Sequence, residues 1–392
     1  MNSLKERVSA FLNRVKSRDG KYLSQLSNDH AFFRYEITNN FEEMTLKLYK
    51  HYKYFSLDYI KRIISHFKND SLISNPCCMR YIESEFSILN SQFDLVNRLN
   101  RNGFDLKNKT VLEIGCSSGC LLFACSKSGA SKLVGIDVSQ SRLNNAREFL
   151  GDKLLKKKVS LLLIDIFTQD LPYDKRSFDV IFSTNLLEHV PSTYDYFGKV
   201  KEYLSDKSED SFVLTSLCNK YNITNILTEP HYGIPGLILL SRKDAADLWY
   251  SERINLSSNL DYEVFDWFLY EEYQNIALSH GLKTFPLIDK YSVELIDTYL
   301  MNYEDYAVRY HQIAIDKLES LNLSTNNTDM LAAAIDKYFD EYIRDHTTDE
   351  LTPQRKVYLY LKYYTFVIEI IAMHEKNGRA FHIRATSFLD QV

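Results

Sequence analysis

The sequence predicts an α/β chain built on a doubly wound, mainly parallel sheet, and three observations carry that prediction. Short apolar runs at 110–114, 132–137, 159–164, 178–183, 211–217 and 282–287 recur with stretches of helical periodicity between them, the alternation expected of strand–helix–strand units. The first run enters a glycine-containing turn, KTVLEIGCSSGC at 109–120, in which Gly115 and Gly119 permit positive φ and close approach of the backbone. The second run ends in Asp137, about 20 residues further on, where a carboxylate can accept both hydroxyls of a ribose.

Taken in order, residues 1–75 read as a helical N-terminal region, with few glycines, no proline before Pro76, and Val8, Phe11, Leu12 and Val15 at helical spacing. The dipeptide Asn75–Pro76 and the two cysteines after it read as a linker, and 79–99 as a helix leading into the first strand. The helix expected at 121–128 begins against the glycine turn, so its unpaired N–H groups favour an anionic group there. Ser139 is placed to cap a helix over 140–150. Residues 153–158 read as a basic linker and 169–177 as a turn-rich connection.

After the fifth run comes TEPHYGIPG at 228–236. Two prolines and two glycines hold an irregular loop stiffly around Glu229, His231 and Tyr232, and loops set on a rigid sheet are where binding and catalysis concentrate. Trp249 and the run YEVFDWF at 262–268 add aromatic walls. A helix at 269–280 is closed by Gly281. Residues 291–373 then show helical periodicity in two or three segments, with Thr352 as a cap and Pro353 in the first turn. The stretch RAFHIRATSF at 379–388 alternates apolar and polar residues, as a half-buried strand does.

The 392 residues carry a net charge of −5, which argues against a nucleic-acid partner because phosphate binding needs a basic surface. The charge is uneven. Residues 1–110 hold 18 Lys+Arg against 12 Asp+Glu, a net of +6 that leaves −11 for the rest. The six cysteines have neither disulfide-scaffold nor zinc spacing. The longest apolar run, 357–373, contains Lys362 and Glu369 and is too short to span a bilayer. With no charged-then-apolar leader, a cytoplasmic location is expected.

Together, E-x-G-x-x-x-G at 113–119, GID at 135–137, Asp165 after the third strand, and FDVIFSTNLLEHV at 178–190 resemble the class I S-adenosylmethionine-dependent methyltransferases. The resemblance covers 110–217 directly and reaches more loosely to 287. It implies a Rossmann-like sheet of seven strands, closed by an antiparallel one, with S-adenosylmethionine across the carboxyl ends of the strands and S-adenosylhomocysteine as product. Glu113, Gly115, Cys116, Ser118 and Gly119 would cradle the methionine part. Asp137 and Val138 would hold the ribose, Asp165 and Ile166 the adenine, and Asn185 with Leu186 the reacting end. Ser117 stands where the family often has a glycine, so its side chain narrows the approach. The expected layout is a helical region at 1–75, a core at 76–290 with a substrate loop at about 219–260, a helical extension at 291–375, and the closing strand within 376–392.

An alcohol acceptor needs a base, and histidine titrates near neutrality. His231 is the first candidate and His189 the second. Glu229 would orient His231 or bind an acceptor hydroxyl, Tyr232 would line the acceptor, and Arg242 would pair with a phosphate or carboxylate. No His/Asp/Glu cluster shows metal-ligand spacing along the chain. The EPHYGIPG loop resembles methyltransferases of bacterial surface-polysaccharide and related small-molecule pathways, implying a sugar or glycan-linked hydroxyl as acceptor. A lipid or quinone-like acceptor, a protein acceptor, and a non-catalytic scaffold are the alternatives. Helical extensions on both sides of the core suit a homodimer.

Overall fold

Each of the six predicted runs forms a strand in the computed structural model, which describes residues 55, 57–69, 75–256, 258, 261–288, 290–347 and 350–375. They are β1 Thr110–Ile114, β2 Lys132–Asp137, β3 Val159–Leu163, β4 Val180–Thr184, β5 Phe212–Cys218 and β6 Leu282–Pro286, and a seventh, β7 Val367–His374, completes the sheet. The strand order is β3-β2-β1-β4-β5-β7-β6. Strands β1 to β5 run parallel, and β7 lies antiparallel between β5 and β6. Because the chain reverses direction in the sheet beside β1 and β4, their carboxyl ends form the crevice where open α/β sheets bind ligands.

The central strands are apolar without interruption because both faces are covered. Successive residues feed opposite cores: Val111 joins Leu99, Leu121 and Leu143 on one face, and Leu112 joins Ile181, Phe197 and Tyr203 on the other. The helices are α1 Leu57–Asn69, α2 Asn75–Arg101, α3 Cys120–Lys127, α4 Gln140–Lys157, α5 Thr193–Tyr203, α6 Ile223–Leu227, α7 Arg242–Glu252 and α8 Tyr270–Ser279. Ser139 caps α4 as expected, its Oγ accepting from Arg142 N at 3.3 Å.

Two local expectations are corrected. Residues 75–78 are not a linker but the first turn of α2, a position that tolerates Pro76 because the proline's missing N–H has no intrahelical partner to lose. Residues 153–157 continue α4 beyond a break at Gly151 (φ 71°, ψ 159°).

A third, all-helical layer follows β6: α9 Lys290–Met301, α10 Tyr303–Glu319, α11 Thr325–Thr347, α12 Pro353–Leu359 and a π-helical turn at Tyr360–Tyr364. The insertion before the last strand is therefore present, but it ends at Tyr364. The antiparallel strand was expected at 379–388, which lies outside the described residues; in the described sheet Val367–His374 holds that place. The apolar run 357–373 hides the change because no glycine or proline marks it, and a short apolar run fits a buried helix or strand equally.

The insertion has its own core, in which Leu331, Ile335, Tyr338, Phe339, Tyr342 and Tyr363 pack with Trp249 and Trp267 of the sheet domain. Three asparagines fasten it to the loop after β5. Asn219 Nδ2 reaches the carbonyls of Leu361 and Thr365 at 2.8 Å each. Asn222 caps α6 and its Nδ2 donates to Tyr363 O at 3.3 Å, and Asn225 Nδ2 donates to Phe366 O, just past the insertion, at 3.2 Å. Residues 228–236 thus hang from a fixed anchor. The predicted N-terminal residues Val8, Phe11, Leu12 and Val15 lie outside the described residues, and no described helix is long and apolar enough to cross a membrane.

Candidate active site at the carboxyl ends of the strands

The turn after β1 is shaped by two glycines in the left-handed region, Gly115 at φ 72° and Gly119 at φ 76°. Gly115 also has no room for a side chain, since a Cβ there would lie 3.1 Å from Leu186 Cδ1. The amides of Gly115 and Cys116 both donate to Ile136 O at 2.9 Å, locking the turn to β2. Gly119 caps α3 without any side-chain hydrogen bond. Glu113 is buried here and its Oε2 has no hydrogen-bond partner among the described residues. Burial pushes its carboxyl well above the usual range, opposed by the Leu122 amide.

Asp137 ends β2 and is 7% exposed. Its Oδ2 accepts from Ser117 N at 2.9 Å and its Oδ1 from Ser139 N at 2.8 Å. Each oxygen keeps a further lone pair for a ligand. Val138 beside it is 71% exposed, and Leu163 at the end of β3 is 51% exposed, a pair of apolar surfaces flanking the acid. Asp165 Oδ1 accepts from Phe167 N at 2.9 Å, and Ile166 is buried beneath.

The side chains of Cys116 and Ser118 point into the protein: both are buried, and Ser118 Oγ contacts Cys120 Sγ at 3.4 Å. Burial, aided by Glu113, pushes the Cys116 thiol up, so that residue offers the turn its main chain. Ser117 adopts φ 43°, and its Oγ accepts from Arg142 Nη1 at 3.3 Å, drawing the hydroxyl toward α4. At the end of β4, Asn185 is exposed at φ 50°, and its amide donates to Ser216 O at 2.9 Å.

Next along the chain, a 3-10 turn at Leu187–His189 meets the 228–236 loop. His231 Nε2 lies 3.1 Å from His189 Nε2. Glu229 holds His231 from behind: its Oε1 faces His231 Nδ1 at 2.9 Å, and its Oε2 accepts from His231 N at 2.9 Å and from Tyr232 N. The carboxylate thus makes its hydrogen bonds within its own loop. Burial opposes charge on His231, but the hydrogen bond and charge of Glu229 outweigh it and raise the ring's proton affinity. His189 is held below the ordinary histidine value by burial and by His231.

The aromatic residues form the surround. Tyr232 stacks on Tyr262 at 5.0 Å and packs on Trp249 at 4.3 Å, while Trp267 lies 5.4 Å from His231. The Tyr232 hydroxyl accepts from Glu263 N at 2.6 Å and donates to Asp261 O at 3.1 Å, which makes it a strut for the 261–268 segment. Arg242 is exposed with its guanidinium 4.1 Å over the Phe265 ring.

Glu263 was not singled out in the sequence, and Glu188 entered there only within the LLEHV motif beside His189. Glu188 is fully buried, and neither of its carboxylate oxygens is hydrogen-bonded among the described residues. The Glu263 carbonyl faces His189 Nδ1 at 3.2 Å. Spacing along the chain suggested no metal cluster, yet the fold brings ligand atoms of Glu188, His189 and His231 within 4.8 Å of one another. Linear spacing cannot report a meeting of residues 42 positions apart.

A family model described as a methyltransferase domain matches residues 111–207. The chain is 32% identical over 117 residues to a ubiquinone biosynthesis O-methyltransferase of Coxiella burnetii, a match covering 30% of this chain and 40% of that relative's length. It is 41% identical over 67 residues to a putative protein N5-glutamine methyltransferase of Methanocaldococcus jannaschii, covering 17% of this chain and 33% of the relative. Among solved structures, a putative sarcosine dimethylglycine methyltransferase of Galdieria sulphuraria aligns at 13% identity and a TM-score of 0.36, covering 74% of this chain and 86% of that one.

Proposed function

We propose that this chain, in which residues 111–207 are a methyltransferase domain, binds S-adenosylmethionine at the carboxyl ends of β1 to β4 and methylates a hydroxyl of a sugar, glycan-linked or related small-molecule acceptor. The observation that carries this reading is the Glu229–His231–His189 relay, whose His189 donates its main-chain amide to Leu186 O just after β4.

The residues present fit the cofactor. The unpartnered Glu113 Oε2 is an acceptor in search of a donor such as an ammonium group, and the side-chain-free cap of α3 leaves amides for a carboxylate. Asp137 has lone pairs for two hydroxyls, and Val138 and Leu163 offer apolar surface to a flat base. Ser117 does not close the turn, because its hydroxyl is engaged by Arg142.

When bound, S-adenosylmethionine supplies a methyl group already activated on a positively charged sulfur. The protein then has to hold the acceptor oxygen in line, about 3 Å from the carbon it attacks, and remove its proton. His231 is the group for that proton. Glu229 fixes the ring through Nδ1, so that Nε2 is turned toward His189 Nε2 at 3.1 Å, and the negative charge behind it strengthens the base. His189, with its weaker hold on a proton, serves as the neighbouring acceptor. The aromatic wall excludes water, and exposed Arg242 at the rim suits a phosphate or carboxylate on the acceptor.

A quinone-like phenol is the second reading, favoured by the stacked Tyr232, Tyr262 and Trp249 surface. Calorimetric titration with S-adenosylmethionine and S-adenosylhomocysteine comes first. One-to-one binding that is lost in Asp137→Ala supports the cofactor site; no binding of either leaves the scaffold reading. Labelled methyl transfer to a panel of nucleotide sugars, oligosaccharides and catechols then separates the acceptor classes, and exclusive turnover of the catechols would overturn the sugar assignment.

A further inference from the structure

We infer that Glu188, His189 and His231 form a binding site for one divalent transition-metal ion of the zinc type. The inference rests on where the protons are. His189 Nδ1 faces the Glu263 carbonyl at 3.2 Å, and a carbonyl only accepts, so Nδ1 carries the hydrogen. His231 Nδ1 faces Glu229 Oε1 at 2.9 Å, and an ionised carboxylate likewise only accepts. With both rings neutral, each Nε2 therefore carries a lone pair, and the two atoms point at each other across 3.1 Å, a spacing at which either a proton or a metal ion can be shared between them. Two lone pairs at that distance repel unless a positive charge lies between them.

Glu188 supplies the second, independent observation. It is 0% exposed, and neither of its carboxylate oxygens has a hydrogen-bond partner among the described residues. Buried polar groups are nearly always satisfied, and this one lies in the same cluster, with all three ligand atoms within 4.8 Å. Metal–ligand bonds of ~2.0–2.2 Å would draw the carboxylate inward.

The donor set is two imidazoles and one carboxylate, which suits zinc and its neighbours better than magnesium or calcium. The outer groups match as well: metal-binding imidazoles usually donate their other N–H to a carboxylate or a main-chain carbonyl, here Glu229 and Glu263. Three protein ligands leave a coordination position open. The His231 side chain is 24% exposed, so an oxygen from solvent or an acceptor can reach it. A hydroxyl bound there would lose its proton to solvent more easily, and the two histidines would then serve the proposed reaction through the ion rather than by direct contact. The binding site itself does not depend on methyl transfer.

The test uses the full chain, stripped with chelator and titrated with Co²⁺ while visible absorption is followed, and then with Zn²⁺ in competition. One Co²⁺ per chain is expected, displaced by Zn²⁺, absent in the His189→Ala/His231→Ala double variant, and weakened tenfold or more in Glu188→Gln. Glu229→Gln, which leaves all three ligands in place, is expected to weaken binding about 10- to 100-fold. Circular dichroism and thermal melting establish that each variant is folded. Should Glu188→Gln fail to fold, His231→Asn, at a half-buried position, gives the same reading. A folded wild-type chain with no saturable Co²⁺ signal, or a double variant that binds as tightly, overturns the site and leaves a shared proton between the rings. Cofactor titration is read separately, so loss of S-adenosylmethionine binding and loss of metal binding are distinguishable.

Discussion

Gly135, in the middle of β2, shows how closely the cofactor end of the sheet is packed. A Cβ there would come within 2.7 Å of Leu122 Cδ1, 2.8 Å of Cys116 Sγ and 2.9 Å of Leu161 Cδ2. Three neighbours cannot all retreat in a close-packed core, so Gly135→Ala is expected to destabilise the chain by about 1–3 kcal/mol. Urea unfolding followed by circular dichroism measures it, and a variant as stable as wild type would show that the turn after β1 has slack. Glu229 acts differently, because its buried carboxylate spends its bonds on His231 and on the amide of Tyr232. If His231 takes a proton from the acceptor, Glu229→Gln removes the charge that favours its protonated form and should lower kcat at least tenfold, with the affinity for S-adenosylmethionine retained. Unchanged kcat would place the base elsewhere. Asp137 and the glycine turn were legible in the sequence because their constraints are local: a left-handed φ and a strand-end acid. Glu188 was not, since its significance lies in lacking partners in three dimensions.

The helical insertion is the element with the most buried ionisable chemistry outside the site. His346 near the end of α11 lies between Tyr303 and Tyr342, with ring centroids at 5.0 and 4.3 Å, and its Nε2 is 2.9 Å from the Tyr364 hydroxyl. Burial holds its pKa down to about 4, only partly offset by the Tyr342 carbonyl. In the unfolded chain the ring would titrate near ~6.5. As pH falls from that value, the unfolded state takes up the proton first, so stability is lost between about 6.5 and 4 and is unaffected above that window. The loss attributable to this ring is on the order of 3 kcal/mol. His346→Gln should flatten the pH dependence of the urea midpoint between pH 7 and 4.5; parallel curves for variant and wild type would show that the ring is hydrated when folded. Helices α9 to α12 were legible as periodicity, and Thr352 caps α12 as read, its Oγ1 accepting from Arg355 N at 3.2 Å. The switch to a strand at Val367 was not, because what makes it a strand is its pairing with β5 and β6 on either side.

That pairing joins parts of the chain far apart in sequence, setting Val213 of β5 opposite Ala372 of β7. Strand β7 closes the sheet only after the whole insertion has been laid down, and Arg98 of α2 reaches across 271 positions to grip it. The guanidinium is bidentate to Glu369, with Nη2 at 2.5 Å from Oε1 and Nη1 bonded to the other oxygen. Both side chains are largely sheltered, so the pair is screened less than a surface ion pair and its fork geometry is pre-organised. Arg98 also holds Asp94 one turn earlier at 2.9 Å, which keeps the guanidinium aimed when Glu369 is absent. A double-mutant cycle of Arg98→Met and Glu369→Gln separates the pair from the cost of stranding either partner. The expected coupling is about 1.5–3 kcal/mol, as for hydrogen bonds between charged groups, and it should fall little in high salt. A coupling near zero would mean that the β5–β7–β6 pairing alone holds the end of the sheet. A large coupling would mean that the helix preceding the cofactor strands and the strand that ends the sheet stabilise each other, so that the crevice is fixed from both ends of the domain.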